Sequence, residues 1–231
     1  VGQQNVRSAI AHAIDRDAII KYVMAGGARS ANALLLPDHW AGNDDLKKIV
    51  YNPDKAKALL AESGFTTSNP LQLTYKTSTN AYRVRIATVL QSQLKEVGVE
   101  VDLRTYDWGT FYGDIKAGNF QMFSLSWVGI KTPDIFRNVF HSKSVPPNGN
   151  NRGRYKDKES DYLIETASAA GTLDAQAKSY RKLQQRLLEQ LPYVPLWYED
   201  HVFAARKGIT GYKLGLDGNY DGLTDVIKKP L

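Results

Sequence analysis

Aromatic side chains beside the predicted ends of structural elements are the first residues in this sequence that suggest a chemistry. Trp108 follows Tyr106 and Asp107 at a predicted strand-to-helix junction, and Trp127 ends a mostly apolar segment. Indole rings offer flat apolar walls, and a few hydrogen-bonding groups beside such walls fix the orientation of a ligand. These residue types favour reversible binding of a small solute, without covalent chemistry.

Two groups of polar residues supply the hydrogen bonds that such a site needs. Asn80, Tyr82 and Arg83 begin a long amphipathic segment, where the free N–H groups and positive dipole end of a helix suit an anionic group. The segment 141–155 is rich in Pro, Asn and Gly and is longer than a simple connection. Its amide and guanidinium donors are those of Asn148, Asn150, Asn151 and Arg152.

Each of these residues also has a purely structural interpretation. The two tryptophans fit a hydrophobic core, Asn80 fits a helix cap, and Arg83 fits the solvated face of a helix. Pattern alone therefore predicts an α/β domain that binds a ligand, and the identity of the ligand stays open.

Signals for catalysis are weak. The sequence contains no glycine-rich phosphate loop and no G-x-S-x-G nucleophile elbow. Glu199 and Asp200 are adjacent, so on a strand they point to opposite faces and make a poor acid–base pair. Cysteine is absent, and the histidines lack the short spacings of zinc ligands; they are His12, His39, His141 and His201. We expect a non-enzymatic protein without a cofactor or metal, with a hydrolase of small amides as the less favoured alternative.

The order of elements predicts the fold class. Helical periodicity is predicted over 6–24 with a break at Asp15–Asp17, and over 55–63, 82–97, 108–116, 161–170 and 175–190, with a further helix opened by Pro133 and Asp134. Strand patterns cover 71–75, 99–103, 120–128 and 193–205. Strands that alternate with helices predict βαβ units in an α/β fold, a layered mixed sheet flanked by helices, as one domain over 1–231.

Composition narrows the partners. The net charge of +6 and the pI near 9.3 raise nucleic acid as a partner, but the basic residues are scattered, so we expect none. No apolar run approaches the roughly 20 residues of a membrane span. The N-terminal residues lack the layout of a signal peptide.

Five segments in order resemble the family-5 extracellular solute-binding proteins, the dipeptide-, oligopeptide- and nickel-binding receptors of ABC importers. They are VRSAIAHAIDRDAII (6–20), YNPDKAKALLAESGF (51–65), LQSQLKEVGVEVDL (90–103), DWGTFYGDIKAGNFQM (107–122) and QRLLEQLPYVPLWY (185–198). The resemblance implies the C-terminal lobe of a type II periplasmic binding protein, with 1–219 as the lobe proper and 220–231 returning toward a missing N-terminal lobe. It also implies peptide-like cargo, an ABC permease as partner and a periplasmic or extracytoplasmic location. A sensory receptor domain on the same fold is the alternative.

The resemblance also implies roles for individual residues. Trp127 and Trp108 match pocket-side tryptophans of the family, and Arg83 matches a ligand-contacting position. The stretch from Asn150 and Asn151 to Tyr155 resembles a loop on the cleft side, which adds Tyr155 to the expected site residues.

One departure from the family bears on the ligand. Peptide-binding members usually carry an aspartate three residues after the strand-end tryptophan, where it holds the α-amino group of the peptide. Here that position is Ile130, and Lys131 follows it. A local gap would bring Asp134 into play, but Lys131 has the wrong charge for an ammonium. A blocked, anionic or non-peptide solute is therefore a better expectation than a free peptide N-terminus.

Overall fold

The computed structural model describes residues 2–215 and 217–229 of the 231-residue chain. Each predicted helix and strand has a counterpart in the predicted order, and three further short strands and a 3₁₀ helix are also present in this part of the chain. In chain order they are α1 (Gln4–Ala13), α2 (Arg16–Tyr22), β1 (Ala28–Ser30), α3 (Pro53–Glu62), β2 (Leu71–Ser78), α4 (Ala81–Glu96), β3 (Val99–Tyr106), α5 (Trp108–Ala117), β4 (Met122–Phe123), α6 (Ile135–Phe140), α7 (Lys158–Ala169), α8 (Leu173–Gln190), β5 (Trp197–Glu199), β6 (Ile209–Thr210), a 3₁₀ helix (Asp221–Asp225) and β7 (Ile227–Lys228).

A parallel three-stranded sheet in the order β3-β2-β4 forms the centre of the fold. β2 and β3 pair from Leu71 opposite Val99 to Ser78 opposite Tyr106. Parallel neighbours need a crossover, and α4 provides it. Gly98 adopts φ +87° immediately after α4, a left-handed conformation that glycine takes without strain. The helix therefore stops where β3 begins.

The first hydrophobic core lies between this sheet and helices α1, α3 and α4. α1 buries Val6, Ala9, Ile10 and Ala13 on one face, as its helical periodicity predicts. Buried Arg16, at the start of α2, donates hydrogen bonds to the carbonyls of Ala31, Pro195 and Ile49. This guanidinium therefore ties α2 to the segments that flank β1 and β5.

A second hydrophobic core is built by α6, α7 and α8. Phe136 is fully buried, and its ring stacks on Tyr180 with centroids 5.6 Å apart. Asp157 caps α7 by accepting from the Ser160 N–H at 3.0 Å. The same carboxylate accepts two hydrogen bonds from Arg186 of α8, at 3.0 and 2.9 Å. One side chain therefore both starts α7 and fastens it to α8.

Two apolar segments that were predicted as strands are strands only in part. The predicted strand 120–128 is limited to Met122–Phe123, which pairs with β2, and the predicted strand 193–205 to Trp197–Glu199, which pairs with β1. Val128 is 80% exposed and Val202 is 88% exposed. An apolar run predicts a strand when both of its faces are covered. Here much of each run instead lines an open cavity or faces solvent.

Candidate ligand-binding site

A cavity of about 1480 Å³ opens between the two hydrophobic cores. Its walls are formed by residues 29–40, the N-terminus of α4, residues 120–131 and residues 191–201. Ile14 and Leu90 contribute from the first core, and Phe136 and Leu187 from the second. The segments that failed to form long strands are therefore the ones that line this cavity. Apolar walls with a few polar groups suit a small organic ligand.

A stack of aromatic rings and a guanidinium forms one side of the site. The Arg152 guanidinium carbon lies 5.0 Å from the Trp127 ring centroid and 5.2 Å from that of Tyr112. Tyr112 in turn stacks on Trp108, with centroids 5.4 Å apart and ring planes 6° from parallel. Trp127 and Arg152 line the cavity, whereas Trp108 and Tyr112 do not. Trp108 therefore reaches the site only through the stack.

Tyr112 is a member of this stack that the sequence patterns did not single out. It stands one helical turn after Trp108 in α5, so the two rings share a helix face. Its hydroxyl accepts a hydrogen bond from Arg152 Nη2 at 3.1 Å, and Asn150 Oδ1 accepts another from the same nitrogen at 3.1 Å. Asn150 does not line the cavity; it orients an arginine that does.

The three residues predicted at the start of α4 all line the cavity. Asn80 Oδ1 accepts from the Arg83 N–H at 3.1 Å, so Asn80 is a helix cap and also part of the wall. Tyr82 is 41% exposed, and Arg83 is half-buried. Arg83 makes no ion pair within the described residues. This helix end therefore presents a cation, a phenol and an amide to the cavity.

Asn151 and Tyr155 hold the loop together and do not line the cavity. The buried Asn151 amide donates to the carbonyls of His141 and Tyr155 at 3.1 and 2.8 Å and accepts from the Tyr155 N–H at 2.8 Å. The Tyr155 hydroxyl lies 3.0 Å from Ser160 Oγ, and burial raises the pKa of Tyr155 to about 12. Direct ligand contact by Asn150, Asn151, Tyr155 and Trp108 thus stays a prediction. In the structure Asn150 accepts a hydrogen bond from Arg152, whereas Asn151 and Tyr155 hold the loop together. Trp108 stacks on Tyr112.

An Asn151→Ala variant is expected to unfold with a free energy about 2–3 kcal/mol lower, because three hydrogen bonds of this buried side chain lose their partner. Chemical denaturation measures this directly. Asn148→Ala is the matched control, since Asn148 is exposed on the same loop and should change stability by less than about 0.5 kcal/mol. Equal losses in the two variants would contradict the role given to Asn151.

The position that departs from the family also lies at the cavity. Ile130 packs against the second core and lines the cavity, with no carboxylate of its own to offer. Lys131 Nζ lies 3.3 Å from Asp221 Oδ2 and 4.0 Å from Asp217 Oδ2. Asp134 accepts a hydrogen bond from Thr132 and does not line the cavity. The two carboxylates nearest to this position, those of Asp217 and Asp221, come from the C-terminal segment and already face Lys131.

Neither a metal site nor a membrane span is visible in the part of the chain that the structure describes. No three His, Cys, Asp or Glu side chains there gather as metal ligands would. Buried His141 instead lies 3.2 Å from Glu165 Oε1 and joins α6 to α7. Among residues 2–215 and 217–229, no helix has the length and apolarity that crossing a bilayer requires.

Solved structures share this fold. The oligopeptide-binding protein AppA of Bacillus subtilis, in complex with a nonapeptide, matches 99% of this chain and 48% of its own chain with a TM-score of 0.85 and 27% identity. The periplasmic binding protein DppA of Helicobacter pylori, in complex with the peptide STSA, matches 99% of this chain and 44% of its own with a TM-score of 0.86 and 26% identity. The predicted α/β class, of the type II periplasmic-binding-protein kind, is thereby confirmed.

Curated relatives give the family. The dipeptide-binding protein of Escherichia coli (strain K12) is 31% identical over 90% of this chain, which spans 39% of that relative. AppA of Bacillus subtilis (strain 168) is 30% identical over 91% of this chain, which spans 41% of it. The chain is thus about two fifths as long as these relatives. The model of "Bacterial extracellular solute-binding proteins, family 5 Middle" matches residues 1–146, and the chain belongs to this family of solute-binding proteins.

Proposed function

We propose that this protein is the substrate-binding component of an ABC transporter and captures a peptide or peptide-like small solute for import. The observation that carries the proposal is the cavity wall made by Trp127 and Arg152, in a chain of the solute-binding family. An aromatic wall with a few directional donors binds a solute reversibly. Because the proposed task is capture, the protein performs no chemistry on its ligand and needs no cofactor.

In this proposal the chain supplies one lobe of a two-lobe receptor. Residues 1–219 form the lobe proper, and residues 220–231 lead back toward an N-terminal lobe; Val1, Leu216, Pro230 and Leu231 lie outside the described residues. The open cavity would be the half of the binding cleft that this lobe contributes. Ligand contacts to both lobes favour the closed form, which a membrane permease then recognises. Such a receptor works outside the cytoplasm.

The proposal predicts that the longer protein, with both lobes, binds the solute and that this chain alone binds it weakly. Isothermal titration with a defined pool of di- to pentapeptides should give saturable binding to the longer protein. Residues 1–231 should bind at least about 100-fold more weakly, because the second wall and its contacts are missing. Nanomolar binding by residues 1–231 would contradict the two-lobe arrangement.

Transport is tested separately from binding. A strain that lacks the gene should lose uptake of the bound peptide, and the intact gene should restore it. Binding with unchanged uptake would instead support a sensory receptor. Turnover of a small amide that disappears when one acidic residue is changed would support a hydrolase.

A further inference from the structure

Arg152 is a buried cation that has no acidic partner among the described residues. Arg152 is only 7% exposed, and its guanidinium forms no ion pair with any carboxylate of residues 2–215 and 217–229. A buried charge is costly unless it is paired, and several hydrogen bonds are usually needed as well. The ordinary structural explanation, a buried salt bridge, therefore does not apply to this arginine.

The donors of Arg152 are also only partly used. Nη2 donates to the Tyr112 hydroxyl and to Asn150 Oδ1. Nε is enclosed and has no acceptor, and Nη1 donates no hydrogen bond within the described part of the chain. The two aromatic faces of Trp127 and Tyr112 hold the guanidinium but accept none of these hydrogens in the plane of the group. Both charge and hydrogen-bonding capacity are left for a group that enters the cavity.

The other charges around the cavity do not satisfy Arg152. The carboxylates of Asp217 and Asp221 lie near Lys131 Nζ. Asp38 Oδ2 lies 3.8 Å from Arg29 Nη1. Glu199 and Asp200 also line the cavity, but both are exposed and neither pairs with Arg152. The positive charge of the buried Arg152 at the cavity wall is therefore not compensated by any of these carboxylates.

We propose that Arg152 forms a subsite for a carboxylate of the captured solute, with the carbon chain next to that carboxylate packed against Trp127. The proposal rests on the proposed solute-binding function and specifies the class of ligand, a solute with a free carboxylate. A carboxylate supplies the missing counter-charge and accepts from the unused Nη1 donors, and charge-assisted hydrogen bonds of this kind are the strong ones. Ile130 is consistent with this polarity, since it lines the cavity with an apolar side chain and offers no carboxylate to an ammonium group.

The test compares two probes that differ only in charge. N-acetyl-L-phenylalanine carries a carboxylate, and N-acetyl-L-phenylalanine amide replaces it with a neutral group of similar shape. Titration of the longer protein should show about 10- to 100-fold tighter binding of the acid. Arg152→Gln should abolish this preference, because it should weaken binding of the acid and leave binding of the amide nearly unchanged. Arg154→Gln is the matched control, because Arg154 is exposed on the same loop and does not line the cavity.

The outcomes test the carboxylate subsite at Arg152 separately from the proposed capture of peptides. Equal binding of acid and amide by the wild type, or an unchanged preference in Arg152→Gln, overturns the subsite. If Arg152→Gln does not fold, Arg152→Lys decides: it keeps the charge without the planar donors, so a lower preference supports the subsite and an unchanged one overturns it. Binding of peptides without acid preference removes the subsite alone. Acid preference without any peptide binding removes the proposed peptide cargo and leaves the carboxylate subsite standing.

Discussion

An Asp157→Ala variant is expected to unfold with a free energy about 2–4 kcal/mol lower than the wild type at pH 7. The substitution removes the cap of α7, where Asp157 accepts from the Ser160 N–H and hydroxyl. It also removes the two charged hydrogen bonds from Arg186, whose side chain is only 27% exposed. Helices α7 and α8 of the second core would both lose a fixed contact, and urea denaturation measures the loss.

The same carboxylate makes stability depend on pH. Hydrogen bonds from Arg186, with further ones from Ser160, hold the pKa of Asp157 well below its usual range. A carboxyl whose pKa is depressed by folding stabilises the folded state above its unfolded pKa, about 3.9, and loses this contribution as the pH falls through the folded pKa. The gap in stability between wild type and Asp157→Ala should therefore be full at pH 7 and shrink below about pH 4.

Two further variants separate the cap from the ion pair. Asp157→Asn keeps a good helix cap but no charge, so it should lose less stability than Asp157→Ala and should show the same loss of pH dependence. Asp174→Asn changes an exposed carboxylate in the first turn of α8 that makes no ion pair within the described residues. It should change the free energy by only a few tenths of a kcal/mol. A pH-independent gap for Asp157→Ala would contradict the ionic part of the explanation.

Elements with local signals were predictable from the sequence. The long helix that begins after Asn80 and stops at Gly98 carries its start, its stop and its apolar face within its own residues. The paired strands 71–78 and 99–106 show the alternation of a half-covered surface over most of their length. The caps Asp157 and Thr172 also lie in the sequence, and they set α7 and α8 to begin at Lys158 and Leu173. The helices predicted over 161–170 and 175–190 began a few residues late because these caps were not recognised.

What failed were predictions that depend on distant partners. Residues 120–128 and 193–205 line a cavity or face solvent over much of their length, and an apolar run does not say what covers it. The stack of Trp108, Tyr112, Arg152 and Trp127 also depends in part on partners that are distant in sequence. Trp108 and Tyr112 are neighbours on one helix, so their contact was within reach of helical spacing. That Arg152 would lie between Tyr112 and Trp127 depends on how the loop 141–155 folds back, which no local pattern encodes.

In the two-lobe receptor proposed above, a Trp127→Ala variant should lose about 2–4 kcal/mol of solute binding, or about 30- to 1000-fold in affinity. The indole supplies apolar wall and holds the face of Arg152, so its loss both opens the cavity and frees the guanidinium. Trp108→Ala is the matched control. Trp108 is 54% exposed and reaches Arg152 only through Tyr112, so its removal should weaken binding less than about fivefold.

A double-mutant cycle shows whether Trp127 and Arg152 act as one unit. If the indole positions the guanidinium for a carboxylate, Arg152→Gln should cost much less affinity in the Trp127→Ala background than in the wild type, with a coupling of about 0.5–3 kcal/mol. Additive losses would mean that the two side chains contact the solute independently. Unchanged affinity in Trp127→Ala would remove this tryptophan from the site. The cycle therefore tests the stack itself, since a ring that merely filled the core would lower stability without changing how strongly the solute depends on Arg152.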